Sequence, residues 1–147
     1  MRAPIGVPNE WEFYVKFLLL TKYAEIEGIP APTEWEPAEI TAHMDHLNAL
    51  NKELADSGEL VEVVILSGPD LATIVTFDGI GAPVCTDGPF AESKELLAGI
   101  QMIDVESRAR AVEIAAKVSA APGPGGRPIA QPIEVRELMG RSSPADL

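Results

Sequence analysis

Apolar residues run almost without a break through Val15, Phe17, Leu18, Leu19 and Leu20. A run of that kind predicts a strand over residues 14–22, buried on both faces in the middle of a sheet. Thr33, Glu36 and Pro37 then mark a helix start. Over residues 37–57 the apolar spacing changes to three and four, with Ile40, Met44, Leu47, Leu50 and Leu54 on one stripe and Glu39, Asp45, Glu53 and Asp56 off it. Gly58 closes this helix as the left-handed residue after its last turn. Strand patterns follow at residues 59–66 and 71–77, with a turn at 67–70 between them and Asp78-Gly79 at the end. A short segment at 83–86 leads to a tight turn at 87–90. Residues 96–105 predict another strand, and 106–119 a second helix with Val112, Ala115, Ala116 and Val118 inward and Arg110, Glu113 and Lys117 outward. A Gly/Pro loop at 121–126 precedes a final strand at 131–138.

The predicted order is β-α-β-β-(turn)-β-α-β. It is an α+β fold: a ferredoxin-like split β-α-β subunit with an antiparallel sheet and an extra short strand or hairpin in the middle. Residues 1–13 read as an N-terminal extension, 14–139 as one domain, and 140–147 as a flexible tail. Helices on one face of such a sheet leave the other face to be covered, and a second copy packed sheet to sheet is the simplest cover. A homodimer is therefore expected.

Charge narrows the partners. The 147 residues carry a formal net charge of −12. From residue 23 to 93 there are fourteen acidic residues and one basic one, Lys52, whereas residues 94–147 hold seven of each. A chain that grips nucleic acid must displace counterions with clustered Lys and Arg, and a negative field repels anionic lipid, so neither nucleic acid nor a membrane is an expected partner. The Phe17–Leu20 run is too short for a membrane span and lacks a cleavage site. The lone Cys85 cannot form a disulfide within the chain and suits a reducing compartment, so the expected localisation is cytoplasmic. Beside Asp87 a thiolate is disfavoured, and Cys85 reads as a small buried residue.

The segment Thr86-Asp87-Gly88-Pro89-Phe90-Ala91-Glu92-Ser93-Lys94-Glu95, followed by Leu97-Ala98-Gly99 and Ile103-Asp104-Val105, resembles the YCII-related proteins, in the branch named for its Asp-Gly-Pro-Phe turn. Ser57-Gly58-Glu59-Leu60-Val61 upstream and residues 119–126 with Ile133-Glu134-Val135-Arg136 downstream extend the likeness from about Val15 to Met139. The resemblance implies a ferredoxin-like subunit pairing into a dimeric α/β barrel. It implies less about chemistry. Members look like small cytoplasmic proteins of unassigned activity, some associated with alternative sigma factors. The wider superfamily includes a dehydrochlorinase of a chlorinated hydroxyhydroquinone, muconolactone isomerases and cofactor-free monooxygenases. In the YCII branch proper, a histidine on the first helix and a nearby aspartate are the active pair the resemblance points to. Two departures stand out: Gly99 is followed by Ile100-Gln101-Met102 where aromatic residues are usual, and Val63-Val64-Ile65 stands where a glycine is usual.

His43 lies between Ile40 and Leu47 on the helix stripe and is expected to face the sheet, either as a satisfied structural group or as a general base able to move a proton near neutral pH. His46, at the edge of the stripe near Glu39 and Glu53, is the next candidate. Asp87 either caps its turn or places a carboxylate at a cavity mouth, where it would orient a histidine or bind a substrate hydroxyl. Lys94, Gln101 and Met102 are the candidate substrate contacts. The Gly/Pro loop lacks the Gly-Lys-Ser/Thr ending of a phosphate cradle, and its prolines remove N–H donors. His43 and His46 have no third ligand at diagnostic spacing, so neither a metal nor a cofactor is expected. These residues support a small-metabolite-binding protein, as a cofactor-free lyase, isomerase or cyclase using a histidine base. The alternative is a non-catalytic accessory or ligand-sensing dimer tied to sigma-factor regulation.

Overall fold

The computed structural model describes residues 15–23, 25–88 and 96–147, and the fold is stated for those residues. The elements run β1 (Val15–Tyr23), α1 (Pro37–Asp56), β2 (Leu60–Ile65), β3 (Thr73–Thr76), β4 (Val84–Asp87), β5 (Leu96–Val105), α2 (Arg108–Ser119) and β6 (Ile133–Glu137). Four strands form one antiparallel sheet in the order β2-β5-β1-β6, which is the ferredoxin-like arrangement the pattern predicts. The middle insertion is a hairpin. β3 and β4 pair only with each other, through Thr73↔Asp87 to Thr76↔Val84, and make a separate two-stranded sheet.

α1 begins where Glu36 and Glu39 satisfy each other's backbone N–H groups, with Pro37 at the first helical position. It ends as expected at Gly58, whose φ of +82° lets Glu59 N–H reach back to the Leu54 carbonyl at 2.9 Å. The core lies between the helices and one face of the sheet. Phe17, Leu19, Ile103 and Val105 meet Leu50 and Leu54 of α1 and Ala111, Ile114, Ala115 and Val118 of α2.

Several expectations need correction. On α2 the inward stripe is Ala111, Ile114, Ala115 and Val118, whereas Val112 and Ala116 are exposed, because only the first set lies on one face at three- and four-residue spacing. On α1 only the C-terminal part of the stripe is core; Ile40 and Met44 are exposed. Arg110 does not point into solvent. Its guanidinium makes a bidentate pair with Glu59, at 2.8 and 2.9 Å, tying α2 to the start of β2. Cys85 is exposed, not buried, because it lies on a two-stranded hairpin that, among the described residues, joins no larger sheet.

Cross-strand partners share a face of the sheet. The registers Glu62↔Met102, Leu18↔Met102 and Leu18↔Arg136 therefore make one row across the face away from the core: Glu62, Met102, Leu18, Arg136. The next row is Val64, Ile100, Leu20 and Glu134. Lys16 and Asp104 lie directly opposite each other on the same face.

Candidate functional site

Of the candidate residues, His43 has the most constrained surroundings. It is half-buried on α1, one and a half turns into the helix, against the loop that follows α2. Its Nδ1 stands 3.0 Å from the carbonyl oxygen of Pro122. A carbonyl only accepts, so Nδ1 carries the proton, and in the neutral ring the lone pair is on Nε2. The ring of Trp35 meets the imidazole edge to face, with centroids 5.5 Å apart. Trp35 is itself fixed, since its Nε1–H donates to the Pro30 carbonyl at 2.9 Å.

The expectation that His43 faces the sheet is thus corrected: its neighbours are Trp35 and the Gly/Pro loop. That loop is held on α1 by a second contact, in which Gly125 N–H donates to a Glu39 carboxylate oxygen at 2.6 Å. The bonds from Gly125 and Glu36 hold the Glu39 carboxyl below its ordinary pKa. Gly123 allows the close packing, because a Cβ there would collide with the Ile129 side chain and press on Trp35. The loop shaped by Pro122, Pro124 and three glycines therefore serves to bring a carbonyl and an N–H to α1.

His46 is also tied to a carbonyl. Its Nε2–H donates to Lys117 O at 2.8 Å, filling one of the acceptors left open in the last turn of α2. Glu53, expected beside His46, pairs instead with Lys117 Nζ at 3.5 Å. Asp87 lies at the end of β4, exposed, opposite Thr73. The His43 Nδ1 proton is engaged by Pro122 and not by this carboxylate. Pro89 and Phe90 of the turn, and Lys94, lie outside the described residues.

The two remaining candidates part company. Gln101 is buried on the helix side of β5 and donates from Nε2 to Asn51 Oδ1 of α1 at 2.5 Å. Met102, one position on, is on the opposite face, in the row with Leu18. The period of two along a strand imposes this split. His43 and Gln101 thus belong to the helix layer, Met102 to the far face and Asp87 to the hairpin. Reasoning from sequence missed Trp35, Glu39 and Pro122 as the partners of the histidine and its loop; Thr33, Glu36 and Pro37 located the helix start, and Glu39 carried no sign of the loop 86 positions later.

Two further ion pairs tie elements of the fold together. Glu59 is held below its ordinary pKa by the Arg110 hydrogen bonds, and the Arg110 guanidinium is raised in turn. Lys22 lowers Glu134 in the same way, through a 2.9 Å pair. Among the described residues no three His, Cys, Asp or Glu side chains are grouped to hold a metal ion. No helix among them is long and apolar enough to cross a membrane.

The profile of the YCII-related domain matches residues 15–125. The chain belongs to the YCII-related domain family. The match spans β1 through the His43-bearing helix to the Gly/Pro loop, and β6 lies beyond it. An uncharacterized protein of Rhizobium meliloti (strain 1021) is 34% identical over 85 residues, covering 58% of this chain and 68% of that protein.

Proposed function

We propose that this YCII-related protein is a homodimer that binds a small organic metabolite, polar aromatic or carbonyl-containing, and moves a proton on it without a cofactor, with His43 as the base. The observation that carries the reading is the 3.0 Å bond from His43 Nδ1–H to Pro122 O, which fixes the ring and leaves Nε2 as the basic atom of the neutral imidazole. Ile40 and Met44, exposed on the same helix, supply apolar surface for the body of such a molecule, and buried Trp35 holds the imidazole from behind. Asp87 then serves the substrate, as acceptor for a hydroxyl, since Pro122 already orients the imidazole. Lys94 is a further substrate contact in this reading, while Met102, on the face of the sheet away from His43, is not, and Gln101 supports the helix layer through Asn51.

Native mass spectrometry of the purified protein identifies the bound molecule, and turnover of that molecule is then compared in the wild type and His43→Ala. The reading predicts a loss of about 10²- to 10⁴-fold in kcat. Unchanged turnover removes His43 from the chemistry.

A second reading has its own observation. His43 and His46 each donate to a backbone carbonyl of the segment that ends α2, so both are also explained as ties between α1 and α2 in a non-catalytic, ligand-sensing or accessory dimer. A His43→Gln protein that binds the molecule with wild-type affinity, when the wild type shows no turnover of it, supports this second reading.

A further inference from the structure

The carbonyl that holds His43 is one end of a peptide group whose other end is also bonded. Pro122 C=O accepts the His43 Nδ1 proton at 3.0 Å, and the N–H of the same peptide, on Gly123, donates to Arg127 O at 2.8 Å. Around that peptide the chain closes on itself. Ile129 N–H donates to Ala121 O at 3.1 Å, Gly126 N–H donates to Gly123 O at 3.0 Å, and Pro122 forms a β-bridge with Pro128. Ala121, Ile129 and Trp35 are buried, the last two packed against Gly123. The chain leaves through Ala130 at a φ of +54°, a conformation that costs energy in a residue with a Cβ and persists where the surroundings impose it. Residues 121–129 thus form a clip, stiff in itself, and His43 makes none of the bonds that close it.

A stiff clip orients a ring only if it is fixed to the helix that carries the ring. Glu39 does this. One of its carboxylate oxygens accepts from Glu36 N–H at 2.9 Å, at the start of α1, and the other from Gly125 N–H at 2.6 Å, on the clip. Glu39 stands one turn before His43 on α1, so the two side chains grip the clip from the same side of the helix, at Gly125 and at Pro122. The two grips differ in kind. A hydrogen bond to an ionised acceptor is roughly twice as strong as one between neutral groups, which is what joins His43 to Pro122. His46 offers the contrast. It donates from Nε2 to Lys117 O, and that acceptor belongs to α2 and not to the clip. The chain's two histidines are therefore held in opposite tautomers on one helix.

We infer that Glu39 is a positioning residue for His43: by gripping Gly125 it holds the 121–129 clip against α1, so that Pro122 O keeps the proton on Nδ1 and Nε2 stays the basic atom. This rests on the His43 base of the proposed function and adds the group that decides which nitrogen is basic. Without the grip the clip moves off the ring, and the proton redistributes between the two nitrogens. Only the fraction of molecules with a bare Nε2 then accepts a proton there, and the rate falls in step with that fraction.

Long-range proton–nitrogen NMR spectra of the untagged, ligand-free chain at about pH 8.5, about two units above the ordinary histidine pKa, read the tautomer of each ring. The wild type shows His43 protonated on Nδ1 and His46 on Nε2, with His46→Gln assigning the signals. In Glu39→Ala the His43 signals move toward a mixture of the two forms and those of His46 stay in place. Gly123→Ala, whose added Cβ pushes the clip away while leaving Glu39 intact, does the same. A His43 ring that remains wholly in the Nδ1–H form in Glu39→Ala overturns the inference, and so does a wild type that lacks that form. An equal movement of His46 overturns it too, because the effect is then on α1 as a whole. Circular dichroism checks the fold, and if Glu39→Ala fails to fold, Glu39→Gln, with one acceptor oxygen instead of two, carries the same comparison. With the molecule found by native mass spectrometry, kcat of Glu39→Ala falls by the same factor as the Nδ1–H population, and KM stays within about twofold. A fall in kcat with the tautomer unchanged counts against Glu39 as a positioning residue. Unchanged turnover in His43→Ala instead overturns the His43 base, and the ligand-free spectra still decide whether Glu39 sets the ring.

Discussion

One face of the four-stranded sheet is closed by its own chain, with Phe17, Leu19, Ile103 and Val105 sealed under two helices, while the other carries Leu18, Leu20, Ile100, Met102 and Val64 between charged edges. Both faces alternate along the same strands, so neighbouring residues such as Gln101 and Met102 do opposite things. On the closed face even the polar residue is satisfied internally, by Asn51. On the far face the charges include two internal pairs and two groups, Glu62 and Arg136, that form no ion pair among the described residues. Internal satisfaction of polar groups marks the face that makes the fold, and the far face is the one the proposed homodimer would cover.

The difference can be tested by trimming each face. On the closed side, Leu54→Ala or Ile114→Ala should lower unfolding stability by about 2–5 kcal/mol, measured by urea denaturation, since both side chains are fully buried. Leu18→Ala on the far side should leave the denaturation curve of dilute protein nearly unmoved and raise the dimer Kd instead. Equal losses in dilute protein would erase the distinction between the faces.

A smaller effect is expected where α2 is tied to β2. Arg110→Ala should cost about 2 kcal/mol at neutral pH, because it strands a half-buried Glu59. The pH dependence has a definite sign. The Glu59 pKa is lowered in the folded chain, so its contribution is present in full above the ordinary carboxylate pKa and is lost as pH falls through the folded value. The acid limb of the stability curve should therefore flatten in Arg110→Ala, and a limb of unchanged slope would mean that this pair is not its source.

His46→Ala should lose about 0.5–1 kcal/mol, the worth of one terminal carbonyl's partner, with turnover and ligand binding unchanged. The smallest and most local effect belongs to Glu39. Its pKa is also lowered, by Gly125 N–H first and Glu36 N–H second, so the latch holds at neutral pH and opens as pH drops. Hydrogen exchange at the Gly125 amide should quicken in Glu39→Gln at neutral pH, and a rate equal to the wild type would show that the loop is held by other contacts.

Much of the fold was legible because hydrophobic spacing reports burial. The continuous apolar run of β1 put it at the centre of the sheet, and Gly58 located the end of α1 to within one residue, the helix closing at Asp56. Spacing failed where burial depends on a distant segment. Ile40 and Met44 continue the α1 stripe yet are exposed, because the chain brings the small Gly/Pro loop and not the sheet to that part of the helix. The same cause hid the surroundings of His43: Pro122 is 79 positions away and offers a backbone carbonyl, a group every residue has. Glu62 and Arg136 looked like ordinary surface charges. Their relation becomes visible only once three strand registers align them in one row.

The most direct measurement of how the two faces differ is an isotope-filtered NOE experiment on dimers mixed from one subunit carrying labelled Met methyl groups and one carrying labelled Leu methyl groups. A cross-subunit NOE from the Met102 methyl to Leu methyls of the far face, with none from Leu54 of the closed face, is the predicted result. A mixed dimer with no such contact would contradict the account.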